Sequence, residues 1–122
     1  MNRTGSDYLA GQLARGEVFD ATCQSREVLN HLTAKWNVLL LIALRNDTMR
    51  FAELRRKVNG ISERMLAKSL QQLEAHHLLS RKSLPVVPPH VEYTLTPLGR
   101  EAADRMAELT DWIEENVRSL VD

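Results

Sequence analysis

Between residues 51 and 96 a helical hydrophobic period is broken once by a turn and then gives way to the period of a strand, and this order limits the possible folds more than any other property of the chain. Phe51, Leu54 and Val58 recur at i, i+3 and i+7, the spacing of one helix face. Asn59-Gly60-Ile61 then forms a three-residue turn, with its glycine where a helix C-cap needs one. Ser62 is a good N-cap for a second helix running to about His76, with Leu66, Leu70 and Leu73 on one narrow arc. The period then drops to two. Val91, Tyr93 and Leu95 alternate with Glu92, Thr94 and Thr96, and Leu79 to Ser83 alternates weakly before them. Pro85, Pro88 and Pro89 fall between these two runs; proline cannot donate to a strand ladder, so they mark a stiff hairpin tip.

Helix, turn, helix and hairpin in this order predict a winged helix-turn-helix, a mainly α fold with a small β-hairpin wing (α+β). Helices are expected on both sides of it. Ser6 can cap a short one carrying Leu9 and Leu13, ended by Gly16. A second spans about Cys23 to Thr33 with Val28, Leu29 and Leu32 on one face. A third, from about Lys35 to Arg45, is apolar nearly all round, with Trp36 expected to fill the core. Thr96-Pro97 opens the last helix as a cap followed by proline at the first position. Its stripe of Leu98, Ala102, Met106, Leu109, Ile113, Val117 and Leu120 runs for about six turns, longer than such a domain needs for its own core. The surplus predicts a homodimer. Residues 1–122 are read as a single winged helix-turn-helix domain, with 1–22 and 97–122 as dimerisation elements. The expected interface comprises Leu9, Leu13, Met106, Leu109, Trp112, Ile113 and Val117, with Trp112 as an anchor beside the stripe.

Composition narrows the function. The longest purely apolar run, Val38 to Leu44, is far short of the about 20 residues a membrane span needs. Residues 1–16 lack the apolar core of an export signal, and a single cysteine, Cys23, allows no internal disulfide, so a reducing cytoplasm is expected. The chain carries no phosphate-cradling glycine loop, nucleophile elbow or clustered carboxylate pair, and an enzyme is not expected. Neither a cofactor nor a metal is expected: His76 and His77 diverge by about 100° on a helix, His77 falling on the apolar arc toward the core, and no paired-ligand spacing accompanies them. Net charge is zero, but residues 45–82 hold nine basic and four acidic side chains, a local excess of five positive charges balanced by acidic ends. A basic centre suits a chain that shows one surface to phosphates and another to a partner subunit.

The second helix of the tandem pair supplies the sharper signal. Opposite its leucines stand Arg64, Lys68, Gln71, Gln72 and Ala75. Arg and Lys can donate to guanine O6 and N7, and Gln can pair with adenine. Ser62, Arg64 and Lys68, in the first turns, are expected to reach base edges most deeply, followed by Gln71 and Gln72. Arg50, Arg55, Arg56, Arg81, Lys82 and His90 are the expected phosphate and wing contacts, which set register without reading sequence. Double-stranded DNA is therefore the expected partner. Some winged domains bind only proteins, but an acidic or apolar arc would suit that use better than this cationic one.

Lys35-Trp36, Arg50-Phe51, Glu53-Leu54-Arg55, Gly60-Ile61-Ser62 and Met65-Leu66 together with the block Val87-Pro88-Pro89-His90-Val91-Glu92-Tyr93-Thr94-Leu95-Thr96-Pro97-Leu98-Gly99 closely resemble the HxlR-type winged-helix transcriptional regulators. The resemblance extends from Cys23 through Gly99. It implies a homodimer on terminal helices, each subunit offering a recognition helix and a wing to a palindromic operator. It also implies a repressor or activator of nearby genes, often one that answers oxidants or electrophiles. The family commonly has Cys-Pro before Lys-Trp; here the pair reads Cys23-Gln24. A cysteine at a helix N-cap gains thiolate character from the free N–H groups and the helix dipole. Cys23 is thus a candidate redox switch, against the alternative of a small apolar side chain packed near the dimer interface.

Overall fold

The computed structural model describes residues 17–122, so the expected first helix with Leu9 and Leu13 lies outside the described residues. The chain divides at Thr33 into two units, the larger being Ala34–Asp122. In the smaller unit, Asp20 accepts from the Thr22 N–H at 2.9 Å and from its hydroxyl at 2.8 Å. Arg26 donates back to the Phe19 carbonyl at 3.2 Å. These bonds hold the turns that lead into α1 (Gln24–Leu32), whose N-cap is Cys23.

The larger unit runs α2 (Lys35–Ala43), β1 (Met49–Arg50), α3 (Phe51–Lys57), α4 (Glu63–Ala75), β2 (Leu79–Leu84), β3 (His90–Leu95) and α5 (Pro97–Val121). With α1 this makes five helices and a three-stranded antiparallel sheet among the described residues, in strand order β1-β3-β2. The capping signals operate as the sequence suggests. The Ser62 hydroxyl accepts from the Met65 N–H at 3.0 Å, and the Thr96 hydroxyl accepts from the Gly99 N–H at 3.0 Å. Gly60 takes the left-handed φ of 96° that its turn demands.

Leu40, Leu41, Leu44, Leu54, Leu66 and Leu73 form the buried centre, where α2, α3 and α4 meet. Removing this much apolar surface from water is the main stabilising term, at about 25 cal/mol per Å². Trp36 is only half-buried. Its ring carries the Lys35 ammonium 4.2 Å from the centroid and backs onto Gly60, so it covers the turn between α3 and α4.

At its C-terminal end α4 stops through a Schellman arrangement. The Leu78 N–H donates to the Leu73 carbonyl at 3.0 Å and the His77 N–H to the Glu74 carbonyl at 2.9 Å. His77 takes the left-handed position, with φ 62°. Its side chain is therefore exposed, whereas the helical wheel turned it toward the core.

The hairpin registers Leu79 with Leu95 and Leu84 with His90, placing the prolines at the tip. β1 lies on the other side of β3, with Met49 opposite Tyr93. Beyond the hairpin, α5 lies against α2 and buries Ala103 and Ala107, small side chains that let the two helices approach closely, while Gly99 in its first turn is buried against the Leu78 backbone. The large apolar stripe points elsewhere: Leu98, Leu109, Trp112, Ile113, Val117 and Leu120 are all exposed. An ion pair from Arg45 Nε to Asp104 Oδ1, at 2.7 Å, ties the end of α2 to α5. Among the described residues no helix is long and apolar enough to cross a membrane.

Candidate nucleic-acid interface

The surface of α4 follows from how its leucines are held. Leu66, Ser69, Leu70 and Leu73 are buried, which turns Glu63, Arg64, Ala67, Lys68 and Gln71 outward. These five occupy i, i+1, i+4, i+5 and i+8, a single arc at about 100° per residue. Alanine at position 67 keeps the middle of the arc low, so a groove wall could come close to the helix. Ser62 is exposed at the head of the helix, where its hydroxyl is already occupied as the cap.

Gln72 is the exception among the expected base readers. Its amide Oε1 accepts from Asn37 Nδ2 at 3.0 Å, and Asn37 on α2 is fully buried. The side chain therefore serves as a polar tie between α2 and α4 at the flank of the arc. A lone asparagine inside the apolar run of residues 35–44 was the signal that could have found this tie, since a buried amide needs a partner.

The expected phosphate contacts divide into three groups. Arg50 N-caps α3, its N–H donating to Glu53 Oε1 at 2.9 Å, with the guanidinium exposed. The register sets Arg50 and Lys82 on either side of Glu92 across the sheet, so the three share one face. Arg81 pairs with Tyr93 and points to the opposite face, because neighbours along a strand alternate. Arg81 and Lys82 thus cannot serve one phosphate together. Arg56 is exposed on α3, and His90 is half-exposed where β3 leaves the tip. Arg55 departs from the expectation: its Nη1 donates to Glu63 Oε1 at 2.8 Å, so its guanidinium is engaged on the protein itself. An open cleft of about 460 Å³, lined by Phe51, Ala52, Arg55, Arg56 and Glu63, lies at this junction of α3 and α4.

Cys23 is half-exposed at the start of α1. Its sulfur makes no capping hydrogen bond, but interaction with the Ser25 backbone N–H, and then with the Ser25 hydroxyl, lowers the thiol pKa below the ordinary cysteine value.

Comparison with known proteins agrees with the helix-turn-helix fold. The family model described as HxlR-like helix-turn-helix matches residues 31–120. An uncharacterised HTH-type transcriptional regulator of Escherichia coli K12, YtfH, is 56% identical over 109 residues, covering 89% of this chain and 86% of its own. A solved structure of the transcriptional regulator ytfH from Salmonella typhimurium superposes with a TM-score of 0.83 at 56% identity, covering 88% of this chain and 96% of that one. The redox regulator HypR in its reduced form superposes with a TM-score of 0.72 at 33% identity, covering 79% and 95%.

Proposed function

This chain belongs to the HxlR-like helix-turn-helix family of transcriptional regulators, which are DNA-binding proteins and not enzymes, and from that premise we propose that it binds a palindromic double-stranded operator as a homodimer and represses the genes beside it. The observation that carries the reading is the exposed cationic arc of α4, with Arg64 and Lys68 standing clear of the protein's own core. Ser62, Arg64, Lys68 and Gln71 face base edges. Arg50, Arg56, Arg81, Lys82 and His90 contact phosphates along α3 and the wing. Residues 1–22 and 97–122 join the two subunits.

Paired variants test the assignment. Arg64→Ala is expected to cost about 1–3 kcal/mol of operator affinity and to relax preference at one base pair, while Arg81→Ala weakens all sequences alike. A dimer with several phosphate contacts should lose about 10³-fold or more in affinity between 50 and 200 mM salt. Selection of bound genomic fragments at both salt concentrations checks all of this. Binding that ignores salt, or an Arg64→Ala protein with unchanged preference, would sink the assignment.

The effector reading rests on Cys23. The neighbour HypR is a redox regulator, and the Ser25 groups that lower the Cys23 pKa enlarge the thiolate fraction at neutral pH. Oxidation or alkylation of Cys23 is proposed to lower operator affinity. Alkylation followed against pH should show a midpoint below that of a free cysteine, and Ser25→Ala should move it up and slow the reaction at pH 7. A Cys23→Ser protein should keep its DNA affinity in oxidant. Equal loss in wild type and variant would refute the switch.

A further inference from the structure

Glu63 is the first residue of α4 and stands beside Arg64 on the outward arc, an acid where a surface meant only for phosphates would not place one. Its side chain is 72% exposed, yet one carboxylate oxygen is held by Arg55 Nη1 at 2.8 Å. Arg55 comes from α3, so the carboxylate is oriented from behind by the neighbouring helix. Its second oxygen takes no ion pair among the described residues. A carboxylate only accepts hydrogen bonds. In the major groove the available base amines are N4 of cytosine and N6 of adenine. Adenine presents the N7 acceptor beside its amine, which repels a carboxylate, while cytosine presents a C–H there. Cytosine is therefore the base that a fixed carboxylate selects. The Arg55 charge also offsets the repulsion between Glu63 and the DNA backbone, and the helix N-terminus favours an acid at this position.

We infer that Glu63 reads cytosine in the operator by accepting from its N4 amine, and that Arg55 is the positioning residue for that carboxylate rather than a phosphate contact. This rests on the DNA reading of α4 proposed above. It makes the first turn of α4 a two-letter reader, with Glu63 taking a cytosine and Arg64 a guanine.

Selection of bound sequences from a random duplex pool, with wild type, Glu63→Gln, Glu63→Ala and Arg55→Ala, tests it. Wild type should prefer a C·G pair at one position of each half-site. Glu63→Gln should shift that position toward adenine by about tenfold. Glu63→Ala should erase the preference there and leave the other positions intact. Arg55→Ala should blur the same position while Glu63 is still present. Circular dichroism of each variant should remain that of the wild type. If Glu63→Ala keeps every base preference, the inference is overturned, whether overall affinity is unchanged, falls uniformly through a weaker helix start, or rises uniformly through relief of repulsion. If wild type enriches no sequence at all, the DNA reading and this inference fall together.

Discussion

Gly99→Ala should destabilise this protein by about 3 kcal/mol, against the gain of up to about 1 kcal/mol that alanine ordinarily brings to a helix. A Cβ at position 99 would overlap the Leu78 carbonyl oxygen and come within 2.9 Å of its carbonyl carbon. That carbonyl cannot step aside cheaply. It accepts from the Thr96 N–H at 3.0 Å, and the Leu78 N–H is itself bound to the Leu73 carbonyl at the end of α4. The Thr96 hydroxyl also donates to the His77 carbonyl at 2.7 Å. The first turn of α5 is thus seated on the link that closes α4. Making room for a methyl group means lifting α5 or disturbing the C-terminal end of the proposed reading helix. For a domain of this size each kcal/mol is worth about 4 °C in Tm, so thermal melts should fall by about 12 °C. DNA binding should weaken in parallel at temperatures where the variant is still folded. A melt unchanged or raised would mean that α5 does not approach Leu78 this closely.

The features legible in the sequence were those whose cause is local. Ser62 and Thr96-Pro97 announce helix starts because a hydroxyl and a fixed φ act within three residues. Prolines expel themselves from a ladder, so the wing tip could be placed. Tertiary causes were harder to see. β1 is two residues long and has no period to detect; only its pairing with β3 makes it a strand. Gln72 lies at the flank of the reading arc, and the partner that turned it inward, Asn37, is 35 residues away. Glu63 is hidden by a net charge count, although its place at the head of the arc is legible. The long stripe of α5 is legible as a period, but the period does not say which face meets the monomer. Gly99, Ala103 and Ala107 answer that question, because close approach to the Leu78 backbone at Gly99 and to a neighbouring helix at the two alanines selects small residues there. The bulky residues are left on another face.

That remaining face yields the largest expected effect on DNA binding. Leu109→Asp should convert the proposed dimer to a folded monomer and weaken binding to a full operator by about 10²-fold or more. Leu109 is 51% exposed, and Trp112 is 52% exposed beside it. The monomer therefore loses a modest amount when the leucine goes: up to about 1 kcal/mol of helix propensity and about 1 kcal/mol for the half of its surface that is buried. The dimer loses far more, because a two-fold arrangement buries both new carboxylates without a partner, at several kcal/mol each. Separated subunits also forfeit the effective concentration that lets the second half-site bind once the first is filled, commonly a factor of 10²–10⁴. Sedimentation should report the monomer's mass and circular dichroism should stay close to that of the wild type, while the melt should fall by the stabilisation that dimerisation supplies and lose its dependence on protein concentration. Trp112 fluorescence should shift to the red as its indole meets water. Binding to an isolated half-site should be unchanged, since Arg64 and Lys68 lie on α4, outside the altered helix. Retention of dimer mass and operator affinity by Leu109→Asp would place the subunit contact elsewhere and leave this stripe of exposed apolar side chains without the role proposed for it.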